Sequence, residues 1–284
     1  MKRVAIILGS PYPENSSAHL RGVSSDVINY KRFLMSSSGG AWHESEIHTG
    51  IHIAKSKIDV IQRLCAGADI AFIVYSGHGF MHKGENYLNI NTKEYLNVSK
   101  LTTTAKRQIT IIDACRTDYP YEHFEGIGDP GIFFDYTRPD IARALYDIYV
   151  KRSSVGSFTM FSSSANQASQ DMDGGGRFTI SLLSEISNWS FNKAGICMNV
   201  QNAFNRTHQD LVSGYESQTP EAFYTGVAIP NLPIGISSNA YLARFGLPKA
   251  RTRAVPQIQK NNSSPIGILF GLAAIGLGIS YLSK

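Results

Sequence analysis

The sequence predicts an α/β fold, a doubly wound and mostly parallel sheet with helices on both faces. Residues 4–8, 70–75 and 108–112 form continuous apolar runs, which are typical of strands covered on both faces. Stretches with apolar residues at helical spacing lie between them, and this alternation favours parallel pairing. The 284 residues, of which 43% are hydrophobic, suit one such domain and exclude a disordered or collagen-like chain.

The remaining elements follow in the same alternating order. Helices are expected at residues 20–36, 51–66, 138–151 and 179–186, where apolar residues recur at intervals of three and four. A fourth strand is expected at residues 157–162. Because ligands bind beyond the carboxyl ends of the strands in such sheets, the residues that follow each strand are the first candidates for a functional site.

Positive charge is concentrated at the end of the chain. Beyond Glu221 there are six basic residues and no acid, so the total of +5 leaves residues 1–221 with a net charge of −1. A folded body without excess positive charge argues against nucleic-acid binding. We therefore expect a folded domain over residues 1–240 and a basic linker over residues 241–264.

An uncharged apolar segment after the linker predicts a membrane anchor. Residues 261–283 carry no charge, and a helix needs roughly 20 apolar residues to cross a bilayer. Gly267 and Gly271 form a GxxxG pair typical of packed membrane helices, and the basic residues before it favour a cytoplasmic domain. The sequence therefore predicts a single-pass transmembrane helix over residues 265–283. The alternative, a buried C-terminal helix, is disfavoured by the poor helix propensity of glycine in water.

Two of the predicted strands are followed by reactive side chains. His78 lies in the sequence SGHG after the strand at 70–75, and Cys115 lies in DACR after the strand at 108–112. The carboxyl ends of parallel strands meet at one edge of a sheet, so we expect imidazole and thiol to share a crevice. An imidazole can take the proton of a thiol and leave the nucleophilic thiolate. Cys65 and Cys197 lie in apolar stretches predicted as helical, where buried thiols are inert.

These motifs resemble those of the caspase-like cysteine proteases, and most closely the metacaspase-type branch. Segments at residues 20–26, 162–170, 174–179 and 218–220 resemble further family motifs in the same order, and the resemblance covers roughly residues 1–235. It implies the caspase-like fold and a cysteine endopeptidase that forms a thioester, with His78 and Cys115 as the catalytic dyad. It also implies an oxyanion hole made by the main-chain N–H groups of Gly79 and Cys115.

The resemblance further implies a preference for basic side chains at P1. Metacaspases share with this chain an acid two residues before the cysteine (Asp113), a serine two before the histidine (Ser76) and an acid in the first helical segment (Asp26). Animal caspases, which cut after aspartate, have glutamine at the first of these positions. A pocket lined by carboxylates pairs with Arg or Lys and repels Asp. The implied partner is a polypeptide substrate with Arg or Lys at P1.

Processing and metal binding are secondary expectations. Family members are often cut before the small-subunit segment, and Lys151 and Arg152 form a candidate self-cleavage site, although cations are equally expected at a helix end. Calcium dependence has only the weak support of Asp171 and Asp173 on a glycine-rich loop. No residues have zinc-ligand spacing, so we expect no metal and no cofactor.

Two other functions are weighed against the peptidase. A catalytically silent caspase-like scaffold that binds partners at a membrane is the alternative, and self-association is expected for either. A nucleotide-binding protein is disfavoured because no GxGxxG and no P-loop lysine follow the first strand. Small anchored caspase-like proteins resemble effectors of cell death or anti-phage defence, a loose analogy for this chain.

Overall fold

Strands and helices alternate along the chain. The computed structural model describes residues 1–12, 14, 16–117, 125–126, 131–214, 218–226 and 228–246. The strands are β1 (Arg3–Ser10), β2 (Ile47–Ile51), β3 (Ile70–Gly77), β4 (Gly79–His82), β5 (Glu85–Asn89), β6 (Tyr95–Asn97), β7 (Arg107–Asp113), β8 (Glu125–Gly126), β9 (Gly156–Phe161), β10 (Asp171–Met172), β11 (Gly175–Gly176), β12 (Cys197–Asn199), β13 (Glu221–Thr225) and β14 (Pro233–Ile236). The helices are α1 (Gly22–Met35), α2 (Ile58–Cys65), α3 (Pro139–Arg152), α4 (Arg177–Phe191), α5 (Val200–Gly214) and α6 (Ser238–Phe245).

The central sheet has six strands in the order β13-β9-β7-β3-β1-β2. Five of them are parallel, and only the edge strand β13 of this sheet runs antiparallel to its neighbour β9. All residues of β1 and β3 are buried, as their continuous apolar runs predict. The predicted mostly parallel α/β sheet is confirmed.

Two hydrophobic clusters cover the two faces of this sheet. Side chains alternate along a strand, so Ile7 and Val74 belong to the cluster under α1, α3, α4 and α5. Ile6 and Ile73 belong to the cluster under α2 and the small antiparallel sheet of β4, β5 and β6. Helices therefore lie on both faces, as predicted, but the second face shares its cover with a small sheet that the sequence did not reveal.

Two local predictions are wrong. The predicted helix over residues 51–66 begins only at Ile58, because Ile51 ends β2, which pairs with β1, and a 3-10 turn follows at Lys55–Lys57. Cys197 begins β12 rather than lying in a helix, and it pairs with Ile236 of β14. In both cases hydrogen bonding to a distant strand overrides the local apolar spacing.

The predicted anchor over residues 265–283, and most of the linker over 241–264, lie outside the described residues. Helix α6 runs from Ser238 to Phe245, past the predicted domain end at residue 240, and the compact unit extends over Met1–Leu247. Among the residues that the structure describes, no helix is long and apolar enough to cross a membrane. The anchor stays a prediction.

Candidate active site

The backbone turns sharply at Gly77, where β3 ends and His78 follows. Gly77 has φ +149°, and a Cβ there would lie 2.8 Å from the carbonyl oxygen of Ser10, so this position requires glycine. Nε2 of His78 lies 2.6 Å from the carbonyl oxygen of Ala18. A carbonyl only accepts hydrogen bonds, so Nε2 carries the proton, and Nδ1 is the basic nitrogen of the neutral ring. The ring of Tyr12 packs on His78 at 4.4 Å between centroids.

Gly79 brings β4 against the backbone of Ala114 and Cys115, the predicted nucleophile. A Cβ at Gly79 would lie 2.8 Å from the carbonyl oxygen of Cys115 and 2.9 Å from Cβ of Ala114. Two residues further on, the N–H of Met81 donates to the carbonyl of Thr117 at 3.0 Å. The residue after the histidine and the residue after β7 are thus neighbours. The oxyanion hole assigned to Gly79 and Cys115 is compatible with this approach and stays a prediction.

Cys115 is a partly buried thiol held by one residue of a neighbouring loop. The N–H of Ser169 lies 3.4 Å from Sγ of Cys115, and Sγ lies 3.7 Å from the carbonyl oxygen of Ser169. Burial raises the pKa of Cys115, and the charges of Asp113 and Asp171 raise it further. The cysteine is therefore a protonated thiol at neutral pH and needs a base to attack.

The two other thiols are held inert by burial. Burial raises the pKa of Cys65, and it raises the pKa of Cys197 to about 12. Cys115, in contrast, lines a cavity that His78 also lines. The structure thus brings together the predicted base and the predicted nucleophile.

This cavity is narrow and has an acidic wall. Its volume is ≈ 20 Å³, which holds about one water molecule. The wall includes Ser76, Asp113, Ser169 and Asp171. A larger cleft of ≈ 520 Å³ lies on the aromatic face of β4, β5 and β6 and is lined by neither His78 nor Cys115.

Asp113, the last residue of β7, is almost fully buried at 5% exposure. Ser169 donates its hydroxyl to Oδ1 at 2.7 Å, and Thr179 donates its hydroxyl and its N–H to Oδ2 at 2.7 and 3.1 Å. Burial raises the pKa of Asp113 although these donors oppose the shift. These hydrogen bonds fix the position of the Asp113 carboxyl group at the end of β7, two residues before Cys115.

Asp26 lies behind the cavity wall rather than in it. Its side chain is fully buried, and it accepts hydrogen bonds from the hydroxyl of Ser76 at 2.5 Å and from the N–H of Gly176 at 2.9 Å. Burial and the nearby Asp113 raise its pKa well above the ordinary value. Of the three predicted S1 residues, Ser76 and Asp113 line the cavity, and Asp26 of helix α1 accepts the hydrogen bond from Ser76 behind it. The S1 role of all three stays a prediction.

Close approach of backbone to these carboxylates explains the glycines before α4. A Cβ at Gly175 would overlap Oδ1 of Asp26, and a Cβ at Gly176 would overlap Oδ2 of Asp113. The loop from Ser169 to Gly176 therefore lies in close contact with the side chains of Asp26 and Asp113. The sequence pointed to this glycine run only through the family resemblance.

The residues proposed for processing and calcium lie elsewhere. Lys151 and Arg152 are exposed in the last turn of α3, where cations favour the negative helix end; self-cleavage there stays a prediction. Asp171 faces the cavity, whereas Asp173 is half-exposed and pairs with Arg21 at 3.7 Å. In the described ranges no group of three or more His, Cys, Asp or Glu has the arrangement to hold a metal ion.

Sequence reasoning missed four contributors to the site. They are the carbonyl of Ala18, the ring of Tyr12, the link through Ser169 and the position of Asp171 in the cavity wall. Main-chain carbonyls and aromatic rings leave no motif in a single sequence. The sequence marks Asp171, in a Gln-Asp pair before a glycine run, only as a weak calcium candidate.

A doubly wound sheet that brings a histidine and a cysteine from adjacent parallel strands to one acidic cavity defines a caspase-like α/β protein. The family model of the Peptidase C14 caspase domain matches residues 2–232, and the chain belongs to this family. Family membership supports a cysteine peptidase. A comparison with curated protein sequences gives no match.

Solved structures agree with this fold at low sequence identity. A protein of Geobacter sulfurreducens is 16% identical, with a TM-score of 0.53 over 84% of this chain and 100% of that chain. Caspase-1 of Spodoptera frugiperda is 17% identical, with a TM-score of 0.54 over 84% and 91%. The Drosophila initiator caspase Dronc is 9% identical, with a TM-score of 0.51 over 78% of each chain. These likenesses extend to the fold alone.

Proposed function

We propose that this protein is a cysteine endopeptidase that cleaves polypeptides after Arg or Lys. The observation that carries the proposal is the cavity that His78 and Cys115 share with the buried carboxylate of Asp113. A basic P1 side chain entering it would meet an acidic wall, whereas an acidic one would be repelled.

The geometry supports an acyl-transfer mechanism. Nδ1 of His78 takes the proton of Cys115, since Nε2 is engaged with the Ala18 carbonyl. The Sγ thiolate attacks the scissile carbonyl carbon, and the main-chain N–H groups of Gly79 and Cys115 stabilise the oxyanion. The C–N bond breaks as the imidazolium returns its proton to the leaving amine. Water activated by His78 then hydrolyses the thioester, which releases the acid product and the free thiol.

A P1-scanning peptide library tests both parts of the proposal. We expect the wild type to cleave after Arg and Lys, and Cys115→Ala or His78→Ala to lose activity by more than about 10³-fold. Cys65→Ala, which removes a buried thiol remote from the cavity, is the matched control and should retain activity. Faster cleavage after Asp than after Arg would contradict the acidic pocket. Absence of cleavage by the wild type would favour the catalytically silent scaffold, and equal detectable activity of the wild type and Cys115→Ala would contradict Cys115 as the nucleophile.

We also propose that residues 265–283 anchor the protein in a bilayer with the peptidase domain on the cytoplasmic side. Its support is the uncharged run with its Gly267–Gly271 pair. Confinement to a membrane would raise the local concentration and promote self-association and self-cleavage at Lys151 or Arg152, which would suit an effector of cell death or defence. A chain ending at Lys260 should be removed from membranes by washing, whereas the full chain should stay in the membrane fraction. Equal recovery of the two chains in washed membranes would refute the anchor.

A further inference from the structure

An aromatic cleft of ≈ 520 Å³ lies on the outer face of the small sheet formed by β4, β5 and β6. The opposite face of this sheet carries Leu88 and Leu96, which are buried in the second hydrophobic cluster. The volume is within the range of about 300–1,000 Å³ that is usual for small-molecule sites. Neither catalysis nor the proposed S1 pocket uses this cleft. Seven residues line it, namely Lys55, Phe80, His82, Tyr87, Lys93, Glu94 and Tyr95.

Three aromatic rings line the cleft side by side. Phe80 and Tyr87 are partners across β4 and β5, and their rings lie nearly parallel, with 5.4 Å between centroids and 13° between planes. Tyr95 of β6 meets Phe80 edge to face at 5.1 Å, and its side chain is 51% exposed. Exposed aromatic rings on a sheet offer π faces on which a planar ring stacks, as bases do on sheets that bind nucleic acids.

The charge of the cleft favours an anion. Lys55 and Lys93 both line it with exposed side chains. Oε2 of Glu94 accepts the side-chain amide of Asn91 at 2.8 Å and the main-chain N–H of Lys55 at 3.1 Å. These hydrogen bonds lower the pKa of Glu94, so it is ionised at neutral pH and compensates one of the two ammonium groups. The surplus positive charge disfavours a cation, which aromatic rings alone would suit, and favours a phosphate or carboxylate group.

We propose that the aromatic cleft binds a small anionic ligand with a planar ring, of the chemical class of the nucleoside monophosphates. The base stacks on Tyr95 beside Phe80, and Lys55 and Lys93 pair with the phosphate. Lysine binds phosphate as a point charge, so the site requires no glycine-rich loop. An acidic peptide with an aromatic side chain is a poorer match, because its main-chain amides would lose water against ring faces that offer no hydrogen-bond partner. The inference does not depend on the proposed peptidase activity.

Calorimetry on the full chain tests the proposal, with the ribonucleoside monophosphates AMP, GMP, CMP and UMP as probes. We expect at least one probe to bind with a Kd below about 0.1 mM, and the affinity to fall as the salt concentration rises. Tyr95→Ala should weaken this binding about tenfold and keep its salt dependence, because it removes a stacking surface. The double variant Lys55→Ala, Lys93→Ala should weaken it about tenfold and remove most of the salt dependence, because it removes the charges that meet the phosphate.

Matched controls lie elsewhere on the surface. Tyr224→Ala removes a ring of β13 that is 49% exposed, and Lys100→Ala removes an exposed ammonium group outside the cleft; both should leave the affinity unchanged. Failure of all these nucleotides to bind below the stated limit would overturn the proposal, as would binding that neither Tyr95→Ala nor the double lysine variant weakens. Tighter binding of the peptide Glu-Tyr-Glu than of any nucleotide, with the same losses in the variants, would also overturn it and assign the cleft to a protein partner.

Discussion

The hydroxyl of Ser169 donates a hydrogen bond to Oδ1 of Asp113 at 2.7 Å. The main-chain N–H of the same serine lies 3.4 Å from Sγ of Cys115. One residue therefore ties the acidic wall of the cavity to the proposed nucleophile. A shift of the loop that admits a substrate side chain would also move a donor relative to the thiol.

Removal of the Ser169 hydroxyl should reduce the cleavage of Arg substrates more than it lowers the stability of the fold. In Ser169→Ala, Oδ1 of Asp113 loses a donor, so its ionised form is less stabilised. We expect kcat/KM for Arg substrates to fall about tenfold, the loss of a hydrogen bond to a charged group. Ser164→Ala removes a hydroxyl that donates to the Thr219 carbonyl at 2.8 Å and serves as control. An equal loss in both variants would contradict a specific role for Ser169.

The reactivity of Cys115 should respond to the charge of Asp171. Above pH 6 Asp171 is ionised and raises the pKa of Cys115, so Asp171→Asn should increase the thiolate fraction. We expect alkylation by iodoacetamide at pH 7.5 to become about threefold faster, equivalent to about 0.7 kcal/mol. Below pH 6 Asp171 is protonated, so the side chain at position 171 is neutral in the wild type as well as in Asp171→Asn. The alkylation rates of the two proteins should then converge. An unchanged rate ratio from pH 5 to pH 8 would contradict the coupling, and Asp173→Asn should match the wild type throughout.

The buried acids should lower stability at alkaline pH. The pKa values of Asp26 and Asp113 are raised by burial. Their favourable contribution to the free energy of unfolding is therefore present below the ordinary carboxyl pKa near 4, and it is lost as pH rises through the raised values. Asp26→Asn keeps an acceptor for Gly176 and a donor for Ser76. It should melt about 2 °C or more above the wild type at pH 8, a shift expected for ~1 kcal/mol, with a smaller difference at pH 5. A lower melting temperature at pH 8 would contradict this.

Arg116 should be intolerant of a conservative change. Its buried guanidinium donates to Asn86 at 2.9 Å, to the Ser163 carbonyl at 2.9 Å and to Glu221 at 2.6 Å, and it stacks on Phe161 at 4.4 Å. A lysine cannot reproduce this planar fork.

We expect Arg116→Lys to lower the free energy of unfolding by about 2 kcal/mol or more and to reduce peptidase activity, because the residue follows Cys115 directly. Urea denaturation measures the first effect. Arg206→Lys replaces a half-exposed arginine paired with Glu185 at 3.6 Å and should be nearly neutral. Equal free energies of unfolding for Arg116→Lys and Arg206→Lys would contradict a stabilising role for the Arg116 contacts.

The local sequence pattern determined the parallel strands β1, β3 and β7. It also determined the two reactive residues beyond the ends of β3 and β7, which are His78 and Cys115. Continuous apolar runs and glycine-flanked reactive side chains are local features, and parallel strands deliver their carboxyl ends to one edge whatever the details of packing. The same reasoning failed at residues 51–57, where pairing of β2 with β1 decides the conformation.

The tertiary structure alone revealed that Ser169 and Asp171 join Ser76 and Asp113 in the cavity wall. Asp171 and Gly22 are 149 residues apart and in contact, as are Gly176 and Asp26 at a separation of 150. The tautomer of His78 likewise depends on the carbonyl of Ala18, 60 residues earlier. A main-chain donor or carbonyl is present at nearly every position, so no sequence pattern marks the one that a carboxylate or an imidazole meets. Only the packing of segments distant in sequence selects it.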